Sequence, residues 1–189
     1  MPADPDDPTA TLRAAEEAIG RLVRDVPDFP EPGILFKDIT PLLADHTAFG
    51  AVVSALADAG RDGGKVVVDK VVGMEARGFI LAAPVALALG VGFVPVRKAG
   101  KLPGETHTVG YALEYGEAVL EVHRDGIAPG ERVLVVDDVL ATGGTARATA
   151  QLVAACGGTV TGMAFLLELS FLPGRAAVGE MPLTVLSVI

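Results

Sequence analysis

Residues 133–146 read VLVVDDVLATGGTA, and this stretch decides the fold. Four apolar residues run straight into two aspartates, then into a loop of threonine and glycine. A short, continuous apolar run bounded by turn residues is the pattern of a strand buried on both faces. The residues after it, Thr145 to Ala155, predict a helix that stops at Gly157-Gly158. A buried strand followed at once by a helix is the repeating unit of a mostly parallel sheet with helices on both sides. In such open sheets ligands bind beyond the carboxyl ends of the strands, where Asp137 and Asp138 stand.

The chemistry of the stretch fits a phosphorylated sugar. Ionised aspartates only accept hydrogen bonds, so a pair of them suits vicinal hydroxyls such as those of ribose. Ala141, Thr142, Gly143, Gly144 and Thr145 lead into the helix, whose first N–H groups and dipole attract a phosphate. Glycine lets the backbone approach the ligand closely. A plainer reading makes the same residues a strand, a turn and a helix capped by Thr145. That reading leaves two aspartates directly after an apolar strand unexplained. The loop is not a nucleotide-binding Walker loop, because no Gly-Lys-Ser/Thr occurs.

Outward from this centre the alternation continues. KVVVDKVVG (65–73) reads as a strand, GFILAAPVALAL (78–89) as a helix and VGFVPV (91–96) as a strand. The polar stretch from Lys98 to Gly110 reads as a long mobile loop, and GYALEYGEAVLEVH (110–123) as a hairpin or two edge strands. TVTGMAFLLEL (159–169) and PLTVLSV (182–188) complete the strands. Near the start, apolar residues three or four apart predict a helix over Thr11–Val26, and a second is expected over Thr47–Asp58. Residues 1–10 are acidic and proline-rich and read as a disordered tail.

Composition bounds the function. The chain has 189 residues, half of them hydrophobic, with a formal net charge of −9. An acidic balance argues against a broad nucleic-acid surface. The clustered cations of RKAGK (97–101) suit a small anionic ligand, or else a solvated loop. Phe79 to Val96 carries no charge, yet Pro84, Gly90, Gly92 and Pro95 divide it, so it reads as a buried helix and strand and no membrane partner is expected. The single cysteine, Cys156, and the lack of a signal-like start point to the cytoplasm.

VVDDVLATGGTA resembles the motif by which type I phosphoribosyltransferases bind PRPP, 5-phosphoribosyl 1-pyrophosphate. DFPEPGILFKDITPLL (28–43), EARGF (75–79), VRKAGKLPGET (96–106) and YALEYG (111–116) narrow the resemblance to the adenine phosphoribosyltransferases. It implies an α/β fold with a mostly parallel central sheet flanked by helices, a small hood and a mobile loop, in a single domain over 11–189. The hood would be built from about 28–43 and the C-terminal part. The implied reaction joins adenine to PRPP, giving AMP and pyrophosphate, with Mg2+ held mainly through PRPP or pyrophosphate and water. No metal ligand is directly assigned, and the three histidines, His46, His107 and His123, lack ligand spacing.

The resemblance also implies residue roles. Asp137, Asp138 and the loop from Ala141 to Thr145 would hold the ribose and its phosphate. Glu75, Ala76 and Arg77, in a turn where the family often has a cis peptide, would hold pyrophosphate with Arg97, Lys98 and Lys101. Arg97 could instead pair with an acid at the strand end. Leu35, Phe36, Lys37 and Leu169 would bind adenine, although read alone the apolar three are ordinary core residues. Many family members carry arginine where Lys37 stands. Glu114 would handle the purine proton as the catalytic group, with Tyr115 beside it in the hood. A homodimer is implied. The alternatives are another base as acceptor, or a PRPP-sensing regulatory protein on the same fold.

Overall fold

The run Val133–Val136 forms the middle of β9 (Arg132–Leu140), and all four of its residues are fully buried. The structure, a computed structural model, describes residues 8–112 and 117–189. The chain forms two compact units, the first ending at Ala55 and the second running from Leu56 to Ile189.

The first unit opens with α1 (Pro8–Leu22), which buries Ala15, Ala18 and Ile19. The helix ends four residues earlier than the periodicity predicts. Pro27 disfavours helical backbone at Val26, and Arg24–Pro27 becomes β1 instead. This strand pairs antiparallel with β2 (Leu35–Asp38), placing Val26 opposite Phe36 and Asp25 opposite Lys37. The hairpin, and the short α2 (Thr40–Ala44) after it, are additions to the elements read from sequence. α3 (His46–Asp58) matches its expectation to within a residue.

The second unit takes in the last residues of α3 and continues with a minimal antiparallel pair, β3 (Arg61–Asp62) and β4 (Lys65–Val66). KVVVDKVVG is therefore two strands, because β5 starts only at Lys70 and ends at Met74. The break falls at Asp69, whose carboxylate accepts three hydrogen bonds from Arg132, one from the backbone and two from the guanidinium, at 2.8–3.0 Å. Then follow α4 (Arg77–Leu89), β6 (Gly92–Lys98), β7 (Thr106–Ala112) and β8 (Glu117–His123). After β9 come α5 (Gly144–Ala155), β10 (Thr159–Glu168), α6 (Gly174–Val178) and β11 (Leu183–Val188).

Seven strands form one sheet in the order β11-β10-β9-β5-β6-β8-β7. The five from β11 to β6 run parallel, while β8 and β7 add antiparallel at one edge. The edge strands form a hairpin, and β7 already begins at Thr106. Only residues 99–105 remain as the loop that the sequence extends to Gly110.

Side chains alternate across a strand. Val72 and Met74 of β5, Val133 and Val135 of β9, and Met163 and Phe165 of β10 cluster with Leu152 and Val153 of α5. The opposite face takes α4. There Gly73 makes room for the helix, since a Cβ on it would lie 2.6 Å from the Cβ of Ala82. Pro84 sits inside α4 without ending it. Among the described residues no helix is long and apolar enough to cross a membrane.

Leu134, fully buried at the centre of β9, sets a stability expectation. Leu134→Ala should lower the unfolding free energy by about 3 kcal/mol, from lost burial plus the cavity left behind. Urea denaturation measures this directly, and a midpoint equal to that of wild type would contradict the assigned core.

Candidate functional site

The strand order reverses between β5 and β9: β5 continues to β6 on one side, while β9 continues to β10 on the other. Two chain segments leave the carboxyl ends of these neighbours, and they carry most of the residues singled out in the sequence. After β5 comes the turn Glu75–Ala76 into α4, with the expected cis peptide between those two residues. At the end of β9 come Asp137, Asp138 and the loop into α5.

The aspartates lie inside β9, because the strand continues to Leu140. Their surroundings differ. Asp138 is buried, and its Oδ2 lies 2.8 Å from Nε of Arg77, an ion pair without the geometry of a directed hydrogen bond. Asp137 is half-buried and faces a concavity of about 70 Å³ with Ala141, Thr142, Gly143 and Thr145, floored by Met74 and Phe165. Its Oδ1 accepts the N–H of Asp138 at 2.9 Å. Burial, and then the charge of Asp138, push the Asp137 carboxyl well above the usual carboxylate range. The close approach of Gly78 matters here, since a Cβ on it would lie 2.5 Å from Asp137 Oδ1.

The loop reaches α5 through Gly143, at φ +78°, which occupies the N-cap position in place of Thr145. Left-handed backbone favours glycine. A Cβ on Gly143 would also meet the Ala177 Cβ at 2.7 Å and the Gly174 carbonyl at 2.8 Å. Thr145 is thereby released from capping, and its hydroxyl donates to Tyr111 Oη at 3.3 Å. The helix's first N–H groups have no intrahelical partner, and Gly143 and Thr145 at this end of α5 line the concavity.

On the β5 side a single carboxylate gathers the cations. Glu75, its side chain 8% exposed, accepts from Lys101 Nζ at 2.5 Å, from the Lys98 N–H at 3.0 Å and from Arg97 Nε at 3.2 Å. Arg97 thus pairs with an acid at the strand end, as one of its two readings has it. The Lys101 hydrogen bond, with those of Lys98 and Arg97, outweighs burial and holds Glu75 at about 2. Lys98 takes part through its backbone.

The residues expected at the base divide between the units. Leu35, Phe36 and Lys37 belong to the first, on β2. Leu35 is exposed, Phe36 stacks edge-on against Phe29 at 5.1 Å, and Lys37 Nζ donates to Asp25 Oδ1 at 2.6 Å. Leu169 belongs to the second unit, half-buried, with its N–H on the Leu140 carbonyl at 3.0 Å. Glu114 and Tyr115 lie outside the described residues.

Two buried acids escaped the sequence reading. Glu168 ends β10 and is bound twice by the guanidinium of Arg175 on α6. Glu121 of β8 is 4% exposed and accepts N–H groups of the 99–105 loop. The available signal was a glutamate between the strand residues Leu120 and Val122.

The phosphoribosyl transferase domain family matches residues 42–171 of the chain. A curated adenine phosphoribosyltransferase from a Nocardioides species is 72% identical over 87% of this chain and 90% of its own. The crystal structure of adenine phosphoribosyltransferase from Thermoanaerobacter pseudethanolicus superposes with a TM-score of 0.86 at 49% identity, covering 92% of this chain and 99% of that one. The Saccharomyces cerevisiae adenine phosphoribosyltransferase, solved with an imino-altritol bisphosphate and adenine, gives 0.85 at 39% identity, with the same coverage.

The Glu75 cluster has a consequence for acid stability. Its carboxyl falls from 4.5 to about 2 on folding, so the stabilisation is complete above 4.5 and is lost as pH falls toward 2. Glu75→Gln should flatten the acid loss of stability in that window. Urea midpoints across it, in both proteins, test this, and parallel profiles would show that the cluster does not exist in solution.

Proposed function

The chain belongs to the phosphoribosyltransferase family, and from that premise we infer that it transfers the 5-phosphoribosyl group of PRPP to adenine, giving AMP and pyrophosphate. The observation that carries this reading is the glycine-threonine loop entering α5 beside two aspartates, at the point where the strand order reverses.

The reaction breaks the bond between ribose C1 and the pyrophosphate oxygen and forms one to a purine nitrogen, which loses its proton. We assign the phosphate to the loop from Ala141 to Thr145, whose helix-terminal N–H groups supply donors. Asp137 and Asp138 take the ribose hydroxyls. Arg77 and Lys101, with the 75–77 turn, Arg97 and the Lys98 backbone, take the pyrophosphate, exchanging their contacts to Asp138 and Glu75 for contacts to the ligand. We assign adenine-binding roles to Leu35 and Phe36 of the first unit, with the backbone near Lys37 reading the ring's edge while the Lys37 side chain stays with Asp25, and separately to Leu169 of the second. We assign the purine proton to Glu114, with Tyr115 as a further hood residue.

Among the described residues no three acidic, histidine or cysteine groups are placed to hold a metal by themselves. The two aspartates still suit Mg2+. Asp137 is pushed up in part by the charge of Asp138, and a hard cation that keeps its waters would relieve that repulsion. Bound with PRPP, it would neutralise charge on the departing pyrophosphate.

We read residues 11–189 as one phosphoribosyltransferase domain, acting as a homodimer. The exposed Ile80 and Leu87, on one side of α4, favour self-association. The lone cysteine is a buried free thiol, which suits a reducing cytoplasm.

Incubation with adenine, PRPP and Mg2+ should yield AMP and pyrophosphate, and hypoxanthine in place of adenine should not react comparably. Absence of AMP would overturn the reading. Glu114→Gln should lower kcat by about 10²–10⁴-fold and leave PRPP affinity nearly unchanged. Equal turnover in the variant would remove the role given to Glu114.

A further inference from the structure

The loop 99–105 is tied down by a carboxylate that none of the roles above uses. Glu121 sits in β8, opposite Arg97 of β6 on one side and Thr108 of β7 on the other. Buried between Leu120 and Val122, its charge must be compensated by donors. The loop backbone provides them. Lys101 N–H and Leu102 N–H both donate to Oε1 at 2.7 Å, and the Thr106 hydroxyl lies 3.5 Å from Oε2. Burial alone would raise this carboxyl, but the backbone donors of Leu102, Lys101 and Gly100 more than reverse it. Gly100 adopts φ +83°, and successive N–H groups turned inward in this way form an anion-binding nest. Here the anion is a side chain of the same protein.

Lys101 is consequently fixed at three points. Its N–H is on Glu121, its carbonyl accepts Arg97 Nη1 at 3.1 Å, and its ammonium is on Glu75. The two acids are not equivalent. Glu75 holds the ammonium, which a phosphate oxygen can take over. Glu121 holds the main chain, which has no part in binding.

We propose that Glu121 is a positioning residue for the transfer reaction: it holds residues 100–102 in the turn that delivers the Lys101 ammonium to the pyrophosphate site. The identity of that ligand rests on the function proposed above, whereas the loop geometry does not. Glu121 acts through Lys101 and touches no reacting atom.

The test compares wild type, Glu121→Gln, Glu121→Ala, Lys101→Ala and the Glu121→Gln/Lys101→Ala pair. Glutamine keeps the volume and one acceptor oxygen, so it answers the question even if the alanine variant does not fold. Amide hydrogen exchange at Lys101 and Leu102 is read without substrate, and kcat and KM for PRPP are read with it. Glu121→Gln should speed exchange at both amides and raise KM for PRPP about tenfold, the size of one charge-assisted hydrogen bond. It should leave kcat within about twofold, because what is lost is binding. In the Lys101→Ala background the same change should add nothing to KM. Unaltered exchange, or an equal rise in KM in both backgrounds, overturns the proposal. If wild type forms no AMP, the assigned function fails, and the exchange rates still decide whether Glu121 holds the turn.

Discussion

Parallel pairing of β5 with β9, Lys70 on Val133 through Gly73 on Val136, is the contact on which the site depends. It joins segments far apart in the chain, with a helix, a strand and a hairpin between them. The pairing stops at Gly73 and Val136, one residue before β5 ends, while β9 continues through the two aspartates to Leu140, so the turn at Glu75 starts beside Asp137 and Asp138. The pairing is buried on both faces, so its register is set by packing from α4 and α5 together. Gly73 and Gly78 let α4 sit close: at one a side chain would strike Ala82, at the other Asp137. The ion pair of Arg77 with Asp138 crosses from one segment to the other. It ties the first turn of α4 to β9.

The electrostatics resolve an apparent conflict. A protein with a net charge of −9 is a poor general host for anions, yet its site must gather a multiply charged one. Local order supplies what net charge does not. Cations stand at the carboxyl ends of the central strands, and three of them have a resident acid: Arg77 has Asp138, while Arg97 and Lys101 share Glu75. Resident acids keep the cations oriented, which lowers the entropy lost when a ligand arrives. They also compete with the ligand, so affinity reflects a difference between two sets of ion pairs.

Legibility in the sequence tracked how local the causes were. β9, β10, α4 and α5 read correctly because burial on both faces, or a helical period, writes itself into consecutive residues. The break at Asp69 did not, since its cause is Arg132, far along the chain. β7 was read short because Thr106 and Thr108 look like loop residues until β8 is placed beside them. Val26 fitted the helical period of α1, and only the pairing with Phe36 and the proline after it take it elsewhere. At the site, the glycine-threonine loop and the cation cluster were legible as motifs. The buried acids Glu121 and Glu168 were not, because a lone glutamate in a strand has no meaning without its donors.

Those two acids also separate the ways in which the two loops are held. The glycine-threonine loop is backed by α6. A Cβ on Gly174 would overlap the Ala141 carbonyl, so the first turn of this helix presses on the loop's backbone, and Arg175 pins the helix to Glu168. Glycines in such a loop bring close packing, and flexibility would defeat a cradle whose N–H groups must converge. The 99–105 loop is held by hydrogen bonds: the Ala99 N–H on the Val119 carbonyl, the Lys101 and Leu102 N–H groups on Glu121, the Lys101 carbonyl accepting from Arg97, and the Lys101 ammonium reaching Glu75. A loop backed by packing suits a group held throughout a turnover, and a lysine shared with a resident carboxylate suits one that must exchange partners. The two loops therefore differ in what holds them: close packing for one, backbone donors on a buried carboxylate for the other.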